Sequence, residues 1–203
     1  VNHFFLLGNG GGGTSLLRGL LNAHSKMSVR FEMFSGSDNE HLIEREFREW
    51  EIDREEVEER GLMWGNKVPL EKFRNCKWSD EDLLRILDEG YRVIWLSRRF
   101  TKYVKPQTKG RYTKDFKPLD LNSVVAQYRE IWEWSQSLYW KFREEMPDRV
   151  INVSFEDLLL RPDVELMRMC IFLDEHFETE MLRGTMDTGF KKYNQDNINI
   201  NKV

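Results

Sequence analysis

The sequence predicts one α/β domain: a P-loop-like, three-layer sandwich with a central parallel sheet and helices on both faces. Three observations predict it. Short apolar runs such as His3–Leu7 (HFFLL) fit strands buried on both faces. These runs alternate with longer segments of helical period, which implies parallel strands joined by crossover helices. A glycine-rich turn, Gly8 to Ser15, joins the first strand to the first helix. A length of 203 residues suits a single domain with its own core, spanning 1–203.

The elements follow in order. After the glycine turn, Thr14–Ala23 carries Leu16, Leu17, Leu20 and Leu21 at helical spacing. Met27–Phe31 reads as a second short strand. The charged stretch from Asn39 to Arg60 reads as a helix with Leu42, Ile43, Phe47 and Trp50 on its buried stripe. Gly61–Pro69 (GLMWGNKVP) reads as a loop, broken by two glycines and a proline. Ser79–Leu87 is a helix with a capping box formed by Ser79 and Asp82, closed by Gly90 in the left-handed conformation. Tyr91–Leu96 (YRVIWL) is the third strand. Phe100–Leu119, basic and containing Pro106, Gly110 and Pro118, reads mostly as loop.

The longest helix runs from Asp120 to Met146, its inner face marked by Val124, Tyr128, Ile131, Trp132, Leu138 and Phe142. Trp132 and Trp140 fall at core spacing on it, so packing explains the Trp-rich stretch. Arg149–Val153 is the fourth strand. Two helices follow near Phe155–Leu160 and Val164–Leu173, with Pro162 suited to a first helical turn. From Gly184 onward the chain is polar and Asn-rich, without a helical or strand period.

Composition narrows the function classes. A formal net charge of -4 gives no global attraction to nucleic acid or to an anionic membrane. No apolar run is long enough to span a bilayer and no signal-peptide pattern precedes the first strand, which points to a cytoplasmic location. Cys76 and Cys170 form neither a disulfide framework nor a metal set, and Cys170, inside LMRMCIFL, reads as a small core residue.

The glycine turn carries the chemistry. Gly8-Asn9-Gly10-Gly11-Gly12-Gly13-Thr14-Ser15 has the outline G-x-x-x-x-G-x-S at a strand-to-helix junction. Glycines let the backbone approach an anion, and successive N–H groups converge on it at the helix N-terminus. Thr14 and Ser15 add hydroxyls. Thr14 stands where a nucleotide triphosphatase carries the lysine for the β- and γ-phosphates, so the loop suits phosphate binding without ATP cleavage. Gly8, Gly10 and Gly13 also satisfy G-x-G-x-x-G, with Glu32 near the expected acidic position, so a dinucleotide reading stays open on spacing.

Five segments, GNGGGGTSLL, LLNAHSKMSVRFE, WGNKVP, YRVIWLSRR and INVSFEDLLLRPDVELMRMCIFL, together resemble sulfotransferases in the family's order. The pattern is nearest to the tyrosylprotein sulfotransferase branch and its bacterial relatives. The resemblance implies transfer of a sulfuryl group from 3′-phosphoadenosine 5′-phosphosulfate (PAPS) to a hydroxyl or amine, leaving adenosine 3′,5′-bisphosphate (PAP), with no metal. It implies a small-molecule, carbohydrate or peptide acceptor. Gly10, Gly11, Gly12, Gly13, Thr14 and Ser15 would hold the 5′-phosphosulfate, and Arg98 the 3′-phosphate by two parallel hydrogen bonds.

Two positions depart from the family pattern. Gly11 stands where relatives carry Arg or Lys, which implies either a substitute cation or a weakened, nucleotide-binding relative. Pro106 stands where a serine usually follows the phosphate arginine, leaving that role to Gln107 or Thr108, with Arg111 as a second basic contact. The resemblance places the catalytic base at Glu32 and the bridging-oxygen contact at Lys67. Phe155 falls near the adenine, or is simply core, and Lys192, with Lys191 and Tyr193, lies in a cofactor-covering tail. Of the histidines, His24 suits capping of the first helix, His3 and His176 have no compelling position, and His41 is the alternative base. A P-loop nucleotide kinase is the competing class. It is disfavoured by the missing lysine and by Ser97-Arg98-Arg99, rather than a metal-binding Asp, after the apolar strand.

Overall fold

Residues of the first strand, β1 (Phe4–Gly8), point alternately into two separate apolar layers. The computed structural model describes residues 3–34, 40–108 and 120–187. Within them β1 is joined by β2 (Met27–Phe31), β3 (Met63–Pro69), β4 (Arg92–Ser97) and β5 (Val150–Ser154). The strands form one parallel sheet in the order β2-β3-β1-β4-β5.

Phe4 and Leu6 pack with α1 (Thr14–Leu21), α7 (Phe155–Leu160), α8 (Pro162–Phe172) and α9 (Glu180–Asp187). Phe5 and Leu7 pack on the opposite face with α2 (Glu40–Glu59), α3 (Leu70–Asn75), α4 (Asp80–Asp88) and α6 (Leu121–Glu145). The period of two along a strand thus divides the core into two layers, and the chain is a three-layer α/β sandwich. The capping box of Ser79 and Asp82 is present at α4, and Gly90 adopts φ 93° behind it.

Four expectations are corrected. Gly61–Pro69 is not loop throughout: β3 runs between β2 and β1 from Met63. Gly65 is there because Phe4 lies against it; a Cβ would come within 2.6 Å of the Phe4 ring. Pro69 ends the strand, where a missing N–H costs least. Phe100–Thr108 is a helix, α5, through Pro106. Tyr103 and Val104 are buried, and edge-on contacts of Phe100 with Trp132 and Tyr103 with Tyr128 seat it on α6, so burial overrides the breaker residue. Helix α9 extends past Gly184 to Asp187. On α6 the packing account of the Trp-rich stretch fails for Trp140, which is 59% exposed, although Leu138 and Phe142 are fully buried.

Candidate functional site

Parallel strands end at one edge of the sheet, and here the registers align those ends. Gly8 lies opposite Pro69 of β3 and Leu96 of β4; Phe31 of β2 lies opposite Lys67; Ser97 of β4 lies opposite Ser154 of β5. The glycine loop, Glu32, Lys67, Arg98 and Phe155 therefore gather at the carboxyl edge. The chain leaves β1 for β2 and β3 on one side and reaches β4 on the other, so the loop occupies the topological switch point, where open α/β sheets bind ligands.

The loop is tightly wound. Gly12 N–H donates to Asn9 O at 2.8 Å, and Gly11 and Gly13 take φ of 81° and 102°. Gly13 caps α1 without a side-chain bond, so no side chain of its own blocks that helix end. A Cβ on Gly13 would stand 2.1 Å from the Phe155 ring, and one on Gly12 2.7 Å from Asn9 O. Gly13→Ala combines that overlap with a left-handed φ, so it should destabilise the fold by ~2–4 kcal/mol in chemical denaturation. Thr14 is buried and turned toward Gly8, whereas Ser15 is exposed. Such a loop has the closely approachable backbone that a phosphate or sulfate group requires.

Arg98 follows β4 and reaches back to the loop, its Nη1 donating to Gly11 O at 2.7 Å. Its guanidinium lies 4.5 Å from the centroid of Phe155. The position without a cation of its own thus has one against it. Phe155 is 1% exposed, a buried wedge between Gly13 and Arg98. Helix α6 clamps both parts: Trp132 Nε1 donates to Arg98 O at 3.0 Å, and Asn9 Nδ2 donates to Ser135 Oγ at 3.0 Å.

Glu32 sits just past β2 with φ 54°, a left-handed conformation that costs a non-glycine residue on the order of 1 kcal/mol or more. Its N–H donates to Lys67 O at 2.8 Å. Lys67 Nζ, on a side chain 3% exposed, lies 2.5 Å from Glu32 Oε1 and 4.5 Å from the Phe31 ring centroid. Lys72 reaches the second oxygen at 2.9 Å. Partial burial pushes the Glu32 carboxyl up, but hydrogen bonds from Lys67 and Lys72 and their charges outweigh it, and the group is held below its ordinary value. A carboxyl so depressed stabilises the fold above its unfolded pKa, and that contribution disappears as pH falls through the lower folded value. Wild type should therefore lose its stability advantage over Glu32→Gln only below about pH 4.5, which parallel denaturation series from pH 7 to 3 would check.

Sequence reasoning missed Lys72, Asn9, Ser135, Glu71 and Tyr103. Glu71, in the first turn of α3, accepts Gly10 N–H at 2.9 Å and 2.7 Å on its two oxygens. Tyr103 Oη donates to the same carboxylate at 2.9 Å. Burial, then the Glu71 charge, drive the Tyr103 hydroxyl far above its usual pKa, so it stays a donor. Nothing local marked Glu71, and Ser135 is one of two serines in WEWSQSLYW, with no pattern to single it out. His24 does not cap α1: its Nδ1 accepts Lys26 N–H at 3.1 Å and its Nε2 faces His176 O at 2.8 Å. Arg111 and Lys192 lie outside the described residues, as do the side chains of His41, Gln107 and Thr108. Among the described residues no cluster of His, Cys, Asp and Glu has the makings of a metal site, and no helix is long and apolar enough to cross a membrane.

No protein-family model and no curated protein sequence matches the chain. Solved structures do. The sulfotransferase domain of the Synechococcus PCC 7002 olefin synthase matches with a TM-score of 0.59 at 17% identity, covering 90% of this chain and 77% of that one. The sulfotransferase domain from the curacin biosynthetic pathway matches with a TM-score of 0.55 at 15% identity, covering 91% and 78%. Mouse sulfotransferase SULT7A1 complexed with PAP matches with a TM-score of 0.61 at 13% identity, covering 91% of this chain and 62% of that one. At these identities the shared property is the fold: this chain is an α/β protein with the fold of sulfotransferases.

Proposed function

We propose that this protein is a PAPS-dependent sulfotransferase, with the loop and acid–base layout of the tyrosylprotein branch and its bacterial relatives. The observation that carries the reading is the meeting of Arg98 with the glycine loop at the sheet's switch point, in a fold shared with a PAP-bound sulfotransferase. The loop and helix start from Gly10 to Ser15 hold the 5′-phosphosulfate, with the Gly10 and Gly12 amides engaged by Glu71 and Asn9 O in shaping the loop. Arg98 supplies the positive charge that Gly11 lacks and reaches a phosphate of the donor. Arg111 and Lys192 are added contacts in this reading.

In the transfer the sulfur–oxygen bond to the donor phosphate breaks and a bond from sulfur to the acceptor oxygen or nitrogen forms. Glu32 takes the acceptor proton, and Lys67 steadies charge on the bridging oxygen as PAP leaves. Against its partial burial, hydrogen bonds from Lys67 and then Lys72 hold the Glu32 carboxyl below its ordinary value, so at neutral pH it is the carboxylate, the form a base must have.

The test is titration calorimetry with PAP and with ATP, both without metal, followed by single turnover of sulfur-labelled PAPS on an acceptor panel. Micromolar PAP binding with no ATP response, and label on an acceptor, are the expected results. No response to PAP would sink the reading. PAP binding without transfer to any acceptor would favour the second reading, a nucleotide-binding relative weakened at Gly11.

A further inference from the structure

We propose that the cleft beside Glu71 is the acceptor site and that its carboxylate selects neutral or cationic acceptors over anionic ones. The proposal rests on the sulfuryl-transfer reading for what the bound molecule becomes, but the binding preference stands on geometry alone.

The glycine loop has two unlike sides. On one, Arg98 Nη1 meets Gly11 O and stacks on Phe155. On the other, Glu71 takes the Gly10 N–H on both oxygens. An open cleft of about 400 Å³ lies on this second side, bordered by Gly10, Gly11, Pro69, Glu71, Gln127 and Tyr128 among others. That volume falls in the range of small-molecule sites. Glu71 is the one charged side chain among the described residues that line it. The cleft touches the loop at Gly10 and Gly11, so a molecule in it abuts the loop that holds the donor.

Glu71 is fixed there rather than swinging free. Tyr103, fully buried, donates to it from α5, and the loop amide holds it from β1's end. A fixed negative charge at the mouth attracts an ammonium and repels a carboxylate or phosphate, while Gln127, Asn75 and Tyr128 offer uncharged polar and aromatic contacts. The anionic donor belongs on the Arg98 side and an uncharged or positive acceptor on the Glu71 side, and the division keeps each from the other's place. An acidic peptide is the acceptor this arrangement excludes.

Three phenols of matched size test it: tyramine, 2-(4-hydroxyphenyl)ethanol and 4-hydroxyphenylacetate. Binding to the wild-type protein is followed by NMR titration at low salt, without donor. Tyramine should bind about fivefold tighter than 4-hydroxyphenylacetate, with the alcohol between, a ratio in keeping with one partly solvated charge pair. In Glu71→Gln the ratio should fall below twofold. Should that variant fail to fold, Gln127→Lys, an exposed change on the same cleft, should lower or invert the preference. Equal binding of the three, preference for the anion, no detectable binding of any, or an undiminished ratio in both variants would overturn the proposal. PAP binding by the same wild-type sample tests the transfer reading separately, so either can fail alone.

Discussion

Glu32→Gln should reduce single-turnover sulfuryl transfer by roughly 10²–10⁴-fold, the range for removing a general base, with PAP affinity changed by only a few-fold. The split matters because Glu32 is also half of a salt bridge, and a structural ion pair would lose stability without this selectivity. Lys67 is 3% exposed and Glu32 20%, with Lys72 on the other oxygen. Breaking a fully buried pair costs about 3–5 kcal/mol; solvent at Glu32 and the second lysine place this pair below that figure. Lys67→Ala offers the complementary readout. It removes the cation assigned to the bridging oxygen and should lower transfer by about 10²–10³-fold, again with donor binding retained. A Glu32→Gln protein that folds, binds PAP and still transfers at wild-type rate would remove Glu32 from the chemistry.

The part of this site that was legible in sequence is the part encoded locally. Four of the five strands are legible, β1 and β4 as apolar runs and β2 and β5 as short alternating or mixed segments, and the glycine loop shows as four consecutive glycines after the first of them. The missed strand, β3, was hidden by the residues that make it useful. Gly65 admits the Phe4 ring, Asn66 is wholly buried yet exchanges hydrogen bonds with Met33, and Lys67 turns its ammonium to Glu32. Polar and glycine residues at the end of a buried strand erase its apolar signature, and they do so because the site is built there. Helix α5 was obscured by Pro106, and only contact with α6 explains it.

The contacts on the loop were illegible for a different reason. Gly10 and Glu71 are 61 positions apart, and Asn9 and Ser135 are 126 apart. No period or spacing rule connects such pairs; they are neighbours only because parallel crossovers return each strand end to one edge. Glu32 and Lys67 were named separately, from family motifs, and the sheet register makes them a pair: Phe31 is opposite Lys67, so the next residue after β2 falls within reach of the ammonium. The Lys72 contact on the same carboxylate follows from α3 starting at Leu70, directly after β3.

Arg98→Ala should weaken PAP binding about 100-fold, the loss expected when a guanidinium making charge-assisted bonds to a phosphate is removed. The folded protein should tolerate the change, since Arg98 is half-buried, donates to the Gly11 carbonyl and lies over the face of Phe155 rather than in the core. Thermal unfolding of the variant separates a lost ligand contact from a collapsed loop. Arg98→Lys sharpens the assignment: a lysine restores charge but not the planar fork, so it should recover no more than about a tenfold share of the lost affinity. Recovery to wild-type affinity in Arg98→Lys would mean that Arg98 acts as a point charge near the loop rather than as a forked phosphate ligand. Unchanged affinity in Arg98→Ala would remove Arg98 from the donor site, and the functional reading would then fail at the residue on which it depends most.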